Sequence, residues 1–422
     1  MLSLMRSAGL SPPIVSPPIG AQEPVVVVTQ EAGVAAPDGK TPRVEMLVED
    51  GDIVAQGAPL ARLRHAPNVQ FVAPMPCRVG KITLLPGRRL AEIVVYQERG
   101  GDVLQHKTED MSPQGLRDIM QMTGFWHWVR RRPFGGVPRT DETPAAIFVM
   151  AADTRPLAPD PGIALAAREE GLLRGLSELG KLTNGPVFLC KDKRSELLHG
   201  TKSQSGFRTI LCGPRHPQGA AGFQIHAHFP ATLSRPVWEI HAEDVAALGE
   251  LVQTGTLPMN RYVTVAGPMV NESRAVLTQV GADIRELTQK AARRAPHTLL
   301  SGSPIDGTVA HWIAPRDRQI SVMAARETAK EAHWLIDALT QSSKPKPIIP
   351  TAALDQSLAF AVPAALFVRA LSAGDDEALI KLGGLSFLPD DLALADYALG
   401  GQARLTGMLS TMLARIQSEY AP

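Results

Sequence analysis

Ala145-Ala-Ile-Phe-Val-Met-Ala151 is an unbroken apolar run, and the pattern downstream of it decides the class of fold. Leu165, Leu172, Leu176 and Leu179 recur at helical spacing, Val187-Phe-Leu-Cys190 is a second apolar run, and Arg208–Cys212 reads as a further strand. Apolar runs separated by a helix-length segment predict a β-α-β unit in an open α/β sheet. Just upstream, Ser112-Pro113 supplies an N-cap and a first-turn proline. Leu116, Ile119 and Met120 share one helix face, and Gly124 ends that helix. It leads into Trp126-His-Trp-Val-Arg-Arg-Arg-Pro-Phe-Gly-Gly-Val-Pro138.

A β-α-β unit raises the question of a dinucleotide. The first strand-to-helix turn would need G-x-G-x-x-G so that backbone amides can approach a pyrophosphate. Here it reads Ala152-Asp-Thr-Arg-Pro-Leu-Ala-Pro-Asp-Pro-Gly162, whose prolines remove donors and which offers one glycine, so ordinary Rossmann binding of NAD is not expected. The densest group of useful side chains is Cys212-Gly-Pro-Arg-His-Pro-Gln-Gly-Ala-Ala-Gly-Phe-Gln-Ile-His-Ala-His-Phe-Pro230. Read as extended chain, it places His226 and His228 on one side, with His216 earlier and His241 later. Three readings stand: a zinc site, a buried glycine-rich loop with hydrogen-bonded histidines, and a surface for a polar ligand such as a quinone head group. The run Arg130-Arg131-Arg132 beside Trp126 and Trp128 reads either as a solvated helix end or as a contact for anionic lipid or an acidic partner.

The rest of the chain bounds the answer. With 43 Lys+Arg against 42 Asp+Glu among 422 residues, the basic excess of a nucleic-acid binder is missing, and 44% hydrophobic residues is too many for a disordered chain. Cys77, Cys190 and Cys212 form no CxxC, which argues against a disulfide scaffold or a metal knuckle and fits a reduced cytoplasmic compartment. Met1–Ser7 lacks the apolar core of a signal peptide, and Leu358–Val368 is about half of the roughly 20 residues that span a bilayer. From Val44 to Val95, short alternating strands around Asp50-Gly51, Gln56-Gly57 and Pro86-Gly87 fall into two similar halves. They resemble the biotinyl/lipoyl carrier fold. The tip between the halves, Arg64-His-Ala-Pro-Asn68, has no lysine to acylate, so a docking or structural module is expected instead of a swinging arm.

Taken in order, Pro67-Asn-Val-Gln-Phe-Val-Ala-Pro74, Arg132-Pro-Phe-Gly-Gly-Val-Pro138, Ala146-Ile-Phe-Val-Met-Ala-Ala-Asp-Thr-Arg-Pro-Leu157, Gly213-Pro-Arg-His-Pro-Gln-Gly-Ala-Ala-Gly222, Ala266-Gly-Pro-Met-Val-Asn271 and Ser301-Gly-Ser303 match one pattern. The chain resembles the A subunit of the bacterial Na+-translocating NADH:quinone oxidoreductase along nearly its whole length. The resemblance implies an α/β multidomain protein in four parts. These are a biotinyl/lipoyl-like β module with an N-terminal extension over 1–105, an α/β Rossmann-like domain over 106–257, a soluble-ligand-binding β-grasp domain over 258–341, and a linker with a C-terminal helical domain over 342–422. Within the β-grasp part, Arg261–Gln289 is expected to run strand, Gly267-Pro, a helix through Ala275–Val280, then Ile284-Arg-Glu-Leu.

The family is distantly related to the flavin-bearing, NADH-oxidising subunit of respiratory complex I, and the comparison implies losses. Where that relative carries a GxGGxGFP flavin loop, this chain reads Arg131-Arg-Pro-Phe-Gly-Gly-Val-Pro138, and no cysteine follows Cys212 to hold an iron–sulfur cluster. The resemblance therefore implies a chain without cofactor, catalytic residue or metal, with flavins and iron–sulfur centres on partner subunits. It places the chain peripherally on the cytoplasmic face of the inner membrane, bound chiefly to the membrane-embedded B subunit, with ubiquinone as substrate of the complex. Contact with quinone or a partner is assigned to His216, Gly219, Gly222, His226, His228, Trp126, Trp128, Arg132 and Phe134, the aromatics serving as a protein-docking surface. Toward the C-terminus the chain departs from the family: Ser342–Pro350 is a proline-stiffened linker in place of a longer insertion, and Leu399-Gly-Gly-Gln402 replaces a Cys-Pro-Gly-Lys stretch. Leu405, Met408, Leu409, Met412, Leu413 and Ile416 form a core stripe on the last helix. Two other readings remain: a divergent paralogue acting as an adaptor in a related redox complex, and a stand-alone flavin or NAD oxidoreductase, which would purify yellow.

Overall fold

The computed structural model describes residues 8–20, 23–199, 206–325, 348–349, 351–400 and 404–420. Met1–Ser7, most of the Ser342–Pro350 linker and the last two residues of Leu399–Gln402 lie outside the described residues.

The chain opens with an extended arm that belongs to later parts of the molecule. Leu10 bridges to His216, Ile19 to Ser273, and strand β1 (Val25–Val26) pairs in parallel with Val276–Leu277. The N-terminal extension thus pairs outside the β module at Leu10, Ile19 and Val25–Val26. The β module proper uses β2 (Glu31–Val34), β3 (Val44–Met46), β4 (Ile53–Val54), β5 (Pro59–Leu63), β6 (Ala66–Val72), β7 (Cys77–Leu85) and β8 (Arg89–Gln97). They form a four-stranded sheet in the order β2-β8-β7-β4 and a three-stranded sheet in the order β3-β5-β6. Leu60, Phe71, Val79, Leu90 and Ile93 fill the space between the sheets, and His65 is exposed at the β5–β6 tip.

The second part begins with helix α1 (Pro113–Met122), capped by Ser112 Oγ on the Gly115 amide. Its sheet comprises β9 (Arg130–Arg132), β10 (Ala146–Ala151), β11 (Val187–Asp192), β12 (Phe207–Cys212) and β13 (Val237–His241), in the order β12-β11-β10-β13-β9. Strands β10 to β13 are parallel, as the apolar runs predict. The arginine run is not a solvated helix end: it is an edge strand, antiparallel to β13 with Arg131 opposite Trp238. Helices α2 (Pro161–Leu165), α3 (Glu169–Gly180) and α5 (Ala242–Thr254) lie on the face lined by Ile147, Val149, Val187 and Leu189. Helix α4 (Ala221–His228) packs on the opposite face, against Phe148, Phe188 and Ile210.

Helices α3 and α5 cross at bare backbone. A Cβ on Gly249 would overlap the Gly171 carbonyl oxygen, and one on Gly175 the Val245 carbonyl. Gly249→Ala should therefore force the helices apart at a cost of about 1–3 kcal/mol, read as a lower urea midpoint. An unchanged midpoint would show that the crossing can relax.

In the third part, β14 (Asn260–Ala266), β15 (Arg274–Gln279), β16 (His297–Ser301), β17 (Thr308–Val309) and β18 (Gln319–Ala324) join β1 in the order β1-β15-β14-β18-β16-β17. The helix expected through Ala275–Val280 is strand β15, paired with β14 from Arg274–Val265 to Gln279–Asn260. Cross-strand partners on both sides outweigh local helical spacing here. The helix comes later, as α6 (Ile284–Thr288) capped by Asp283.

The last part is helical: α7 (Ala352–Ser357), α8 (Ala364–Ala373), α9 (Asp376–Lys381), α10 (Ala393–Ala398) and α11 (Leu405–Tyr420). Leu405, Leu409, Met412, Leu413 and Ile416 form the buried stripe of α11 that their spacing predicts, and Phe223 of α4 enters the same core.

Candidate functional site

From β10 the chain winds outward to β11 and β12, then returns to place β13 on the other side of β10. The gap between the carboxyl ends of β10 and β13 is the topological switch point, where open α/β sheets bind ligands. A cleft of about 530 Å³ lies there. Ala152 and Asp153 leaving β10, Glu239 and His241 of β13, and His216 and Gly219 of the loop before α4 supply one wall. The other parts of the chain close it with Asp38, Asp306, Arg316 and the Asp390-Asp391 pair.

Most charge in the cleft is spent on itself. Arg132, 1% exposed, holds Glu239 at 2.6 Å, Asp391 at 2.6 Å and the Ser386 carbonyl at 2.9 Å. Arg130 grips Asp390 with two bonds of 2.8 and 2.9 Å, and Arg131 pairs with Glu142 at 2.8 Å. Arg155 joins Asp153 at 2.6 Å to Asp306 at 3.4 Å. Arg316 ties Asp38 to the backbone carbonyls of His127 and Val129. Burial pushes the Asp391 carboxyl up to about 6 against the pull of Arg132, with Asp390 and Glu239 adding to the rise. Asp390 lies well below the usual carboxylate range because its bidentate arginine outweighs its own desolvation.

Two histidines are the exception. His241 Nδ1 accepts the Glu243 amide at 3.2 Å as the N-cap of α5, so its proton sits on Nε2. His216 Nδ1 lies 3.2 Å from Thr154 Oγ1, which accepts the Gly219 amide at 2.9 Å and so has its own hydrogen to give. When that hydrogen goes to Nδ1, the His216 proton sits on Nε2. Both Nε2 atoms are buried with no hydrogen-bond partner among the described residues. Burial pushes both imidazoles down to about 4, so they are neutral near pH 7. Both residues line the cleft as uncharged imidazoles, each with a buried Nε2 that no described group satisfies.

Of the residues singled out from the sequence, His216, Gly219, Arg132 and Trp128 line the cleft. Gly222 sits beneath Asp391, and its amide donates to Asp391 Oδ1 at 3.2 Å. His226 and His228 do not share a side of an extended stretch, because Ala221–His228 is helical and a two-residue step turns about 200°. His226 donates Nε2–H to the Ala361 carbonyl and packs on Phe387. His228 borders a separate pocket with Lys193 and Arg208. Trp126 and Trp128 are not a docking surface: they are 0% and 5% exposed. Trp126 meets Trp238 edge-on and donates to the Pro138 carbonyl, while Trp128 lies 3.8 Å under the Arg261 guanidinium. Phe134 is half-buried against the helical core, so this aromatic group anchors parts of the chain to each other. Sequence reasoning missed Asp153, Glu239, Arg155 and Asp390-Asp391 as site residues, and weighed His241 only beside the other histidines as a candidate ligand. The available signal was position, since Asp153 and His241 sit where β10 and β13 end.

The paired glycines Gly135 and Gly136 both have positive φ, of 71° and 75°, and the Gly136 amide already donates to Asp38 Oδ2 at 3.2 Å. Among the described residues no group of three or more His, Cys, Asp or Glu is arranged to hold a metal ion.

Comparison with known proteins adds a family. Residues 111–257 match the model of the NqrA second alpha/beta domain, and residues 262–311 match that of the NQRA C-terminal domain. The A subunit of the Na(+)-translocating NADH-quinone reductase of Actinobacillus pleuropneumoniae serotype 5b is 30% identical over 417 residues, covering 89% of this chain and 91% of its own. The Pseudomonas aeruginosa PAO1 protein of the same name is 30% identical over 411 residues, covering 89% and 90%. That of Serratia proteamaculans is 29% identical over 449 residues, covering 97% and 98%. A chain of an NAD+-reducing hydrogenase aligns over 74% of this chain and 62% of its own at 12% identity, with a TM-score of 0.39, a distance at which nothing about chemistry transfers.

Proposed function

The chain belongs to the NqrA family, the A subunits of the Na+-translocating NADH-quinone reductases, and from that premise we propose that it is the peripheral, cofactor-free, quinone-side component of such a complex. The other subunits of the complex are its partners, chiefly the membrane-embedded B subunit, and they carry the flavins and iron–sulfur centres. Among the described residues no helix is long and apolar enough to cross a membrane, which supports attachment to the cytoplasmic face through protein contact. The cofactor-free reading draws on the glycine turn committed to Asp38 and on arginines already paired with carboxylates.

The observation that carries the quinone role is the pair of unpartnered Nε2–H donors of His216 and His241 at the switch-point cleft. A quinone ring is uncharged and bears two carbonyl oxygens that accept such hydrogens. Neutral imidazoles suit it, since they polarise the carbonyl without bringing in a buried charge. Titration of the purified full chain with a short-tailed, water-soluble ubiquinone should show saturable binding. His216→Phe and His241→Phe keep a ring of similar bulk and remove the donor. Each should weaken binding about two- to tenfold, the value of one neutral hydrogen bond of about 0.5–1.5 kcal/mol. Binding unchanged in both variants, or absent in the wild type, would remove the cleft from quinone chemistry. A stoichiometric flavin absorbance in the natively purified chain would favour the stand-alone oxidoreductase.

A further inference from the structure

We propose that Asp391, with Asp390 beside it, is a built-in counter-anion at the start of α4 that makes the cleft refuse phosphate-bearing ligands. The inference does not depend on which uncharged ligand the cleft accepts.

Helix α4 begins without a side-chain cap, since its N-cap residue is Ala220. The first amides of a helix lack intrahelical acceptors and carry the positive end of its dipole, which is why helix starts bind phosphate. Here the acceptor comes from within the chain, 169 residues away: the Gly222 amide donates to Asp391 Oδ1. The other carboxylate oxygen, Oδ2, accepts the Leu388 amide at 2.8 Å and Arg132 Nη1 at 2.6 Å. Two amides and a guanidinium converging on one anion are the donor set that holds a phosphate oxygen elsewhere.

The seat is shaped for that carboxylate. A Cβ on Gly222 would overlap the Asp391 side chain, so residue 222 must be glycine for the anion to lie against the helix backbone. At Gly222 the start of α4 thus has the close approach of a ligand cradle, already filled by the helical part. The charge count agrees. Arg130, Arg132, Arg155 and Arg316 face six carboxylates, those of Asp38, Asp153, Glu239, Asp306, Asp390 and Asp391, in the same cleft. An entering phosphate finds the helix start occupied and each guanidinium of the cleft already paired, whereas an uncharged carbonyl meets the two imidazole donors.

The test removes the resident anion from the full chain. Asp391→Ala should be less stable than wild type, and formate, which restores a carboxylate, should recover stability saturably. Pyrophosphate should do the same, with sodium chloride of matched ionic strength as the control. At about a hundredfold above its Kd, either anion should shift the folded-to-unfolded ratio of the variant about a hundredfold. Wild type should show no saturable response to either. Asp391→Asn, which fills the seat without the charge, should show no saturable response to either anion. Should Asp391→Ala fold poorly alone, its refolding yield with and without formate reads the same quantity. An Asp391→Ala chain indifferent to both anions, or a wild type that binds pyrophosphate as tightly as the variant, overturns the proposal. Neither readout involves quinone, so it stands or falls apart from the quinone role.

Discussion

Acidification from pH 7 to about pH 4.5 should strip several kcal/mol from the stability of this chain. His127, His216 and His241 are buried, and burial pushes each imidazole down to about 4. In the unfolded chain they titrate near 6.5. Between those values the unfolded chain binds protons that the folded chain does not, so stability falls as pH drops through about 6.5 and goes on falling to about 4. A gap of about 2.5 units corresponds to about 3 kcal/mol per histidine. Asp391 opposes this, because a carboxyl raised to about 6 gains stability on protonation as pH falls. Its share down to pH 4.5, about 1.5 units or about 2 kcal/mol, cancels most of one histidine. The net loss of about 6 kcal/mol is a large part of the about 5–15 kcal/mol that typically holds a folded domain. The damage should start at seams, since His127 donates to the Gln70 carbonyl where α1 meets the β module, and the other two border the cleft. Urea midpoints measured from pH 7.5 to 4.5 should fall steadily, and His127→Phe should flatten the curve by about one proton. A flat wild-type profile would mean that these rings are solvated in the folded chain.

Arg318→Met should cost about 3–5 kcal/mol, the usual penalty for breaking a buried ion pair from one side. Arg318 is 1% exposed and reaches Glu243 through Nε and Asp244 through Nη2, both at 2.7 Å. Those carboxylates open α5, while Arg318 precedes β18, so the cluster welds the α/β part to the third part. Asp244 also holds Arg261 at 2.8 Å, and Glu243 accepts the Tyr262 amide at 2.8 Å. Without Arg318, two buried carboxylates share Arg261 and a distant Arg168 at 3.7 Å from Glu243. Methionine keeps most of the volume, so the loss reports charge and not a cavity. Limited proteolysis should reveal early cutting between the two parts, and a loss below about 1 kcal/mol would show that water reaches the cluster.

How much of the fold is legible in the sequence tracks the range of each signal. The apolar runs at Ala145–Ala151 and Val187–Cys190 are adjacent parallel strands, and the Leu405–Ile416 stripe is the buried face of α11. In these cases burial imposes its own period on neighbouring residues. Ala275–Val280 misled because six residues carry either period, and pairing with β14 and β1 chose the strand. The tryptophans misled for a different cause. Large aromatics beside arginines serve interfaces and inter-domain seams alike, and only burial tells the two apart.

The sequence by itself determined the order of β module, α/β sheet and helical part, and among the nine residues assigned to quinone or partner contact it included His216, Gly219, Arg132 and Trp128, which line one cleft. Local periodicity and turn residues suffice for the order of parts, because each is written within a few tens of residues, whereas the contact residues came from the family resemblance. Only the tertiary structure decided that Arg132 meets Asp391 across 259 residues, that His216 and His241 border one cleft with their Nε2 atoms unpartnered, and that the first turn of α4 is capped by the chain's own carboxylate. A charged or imidazole side chain looks the same in sequence whether solvated, paired or poised for a ligand. Its role is set by what long-range folding brings within about 3 Å of it and by how much water that folding removes.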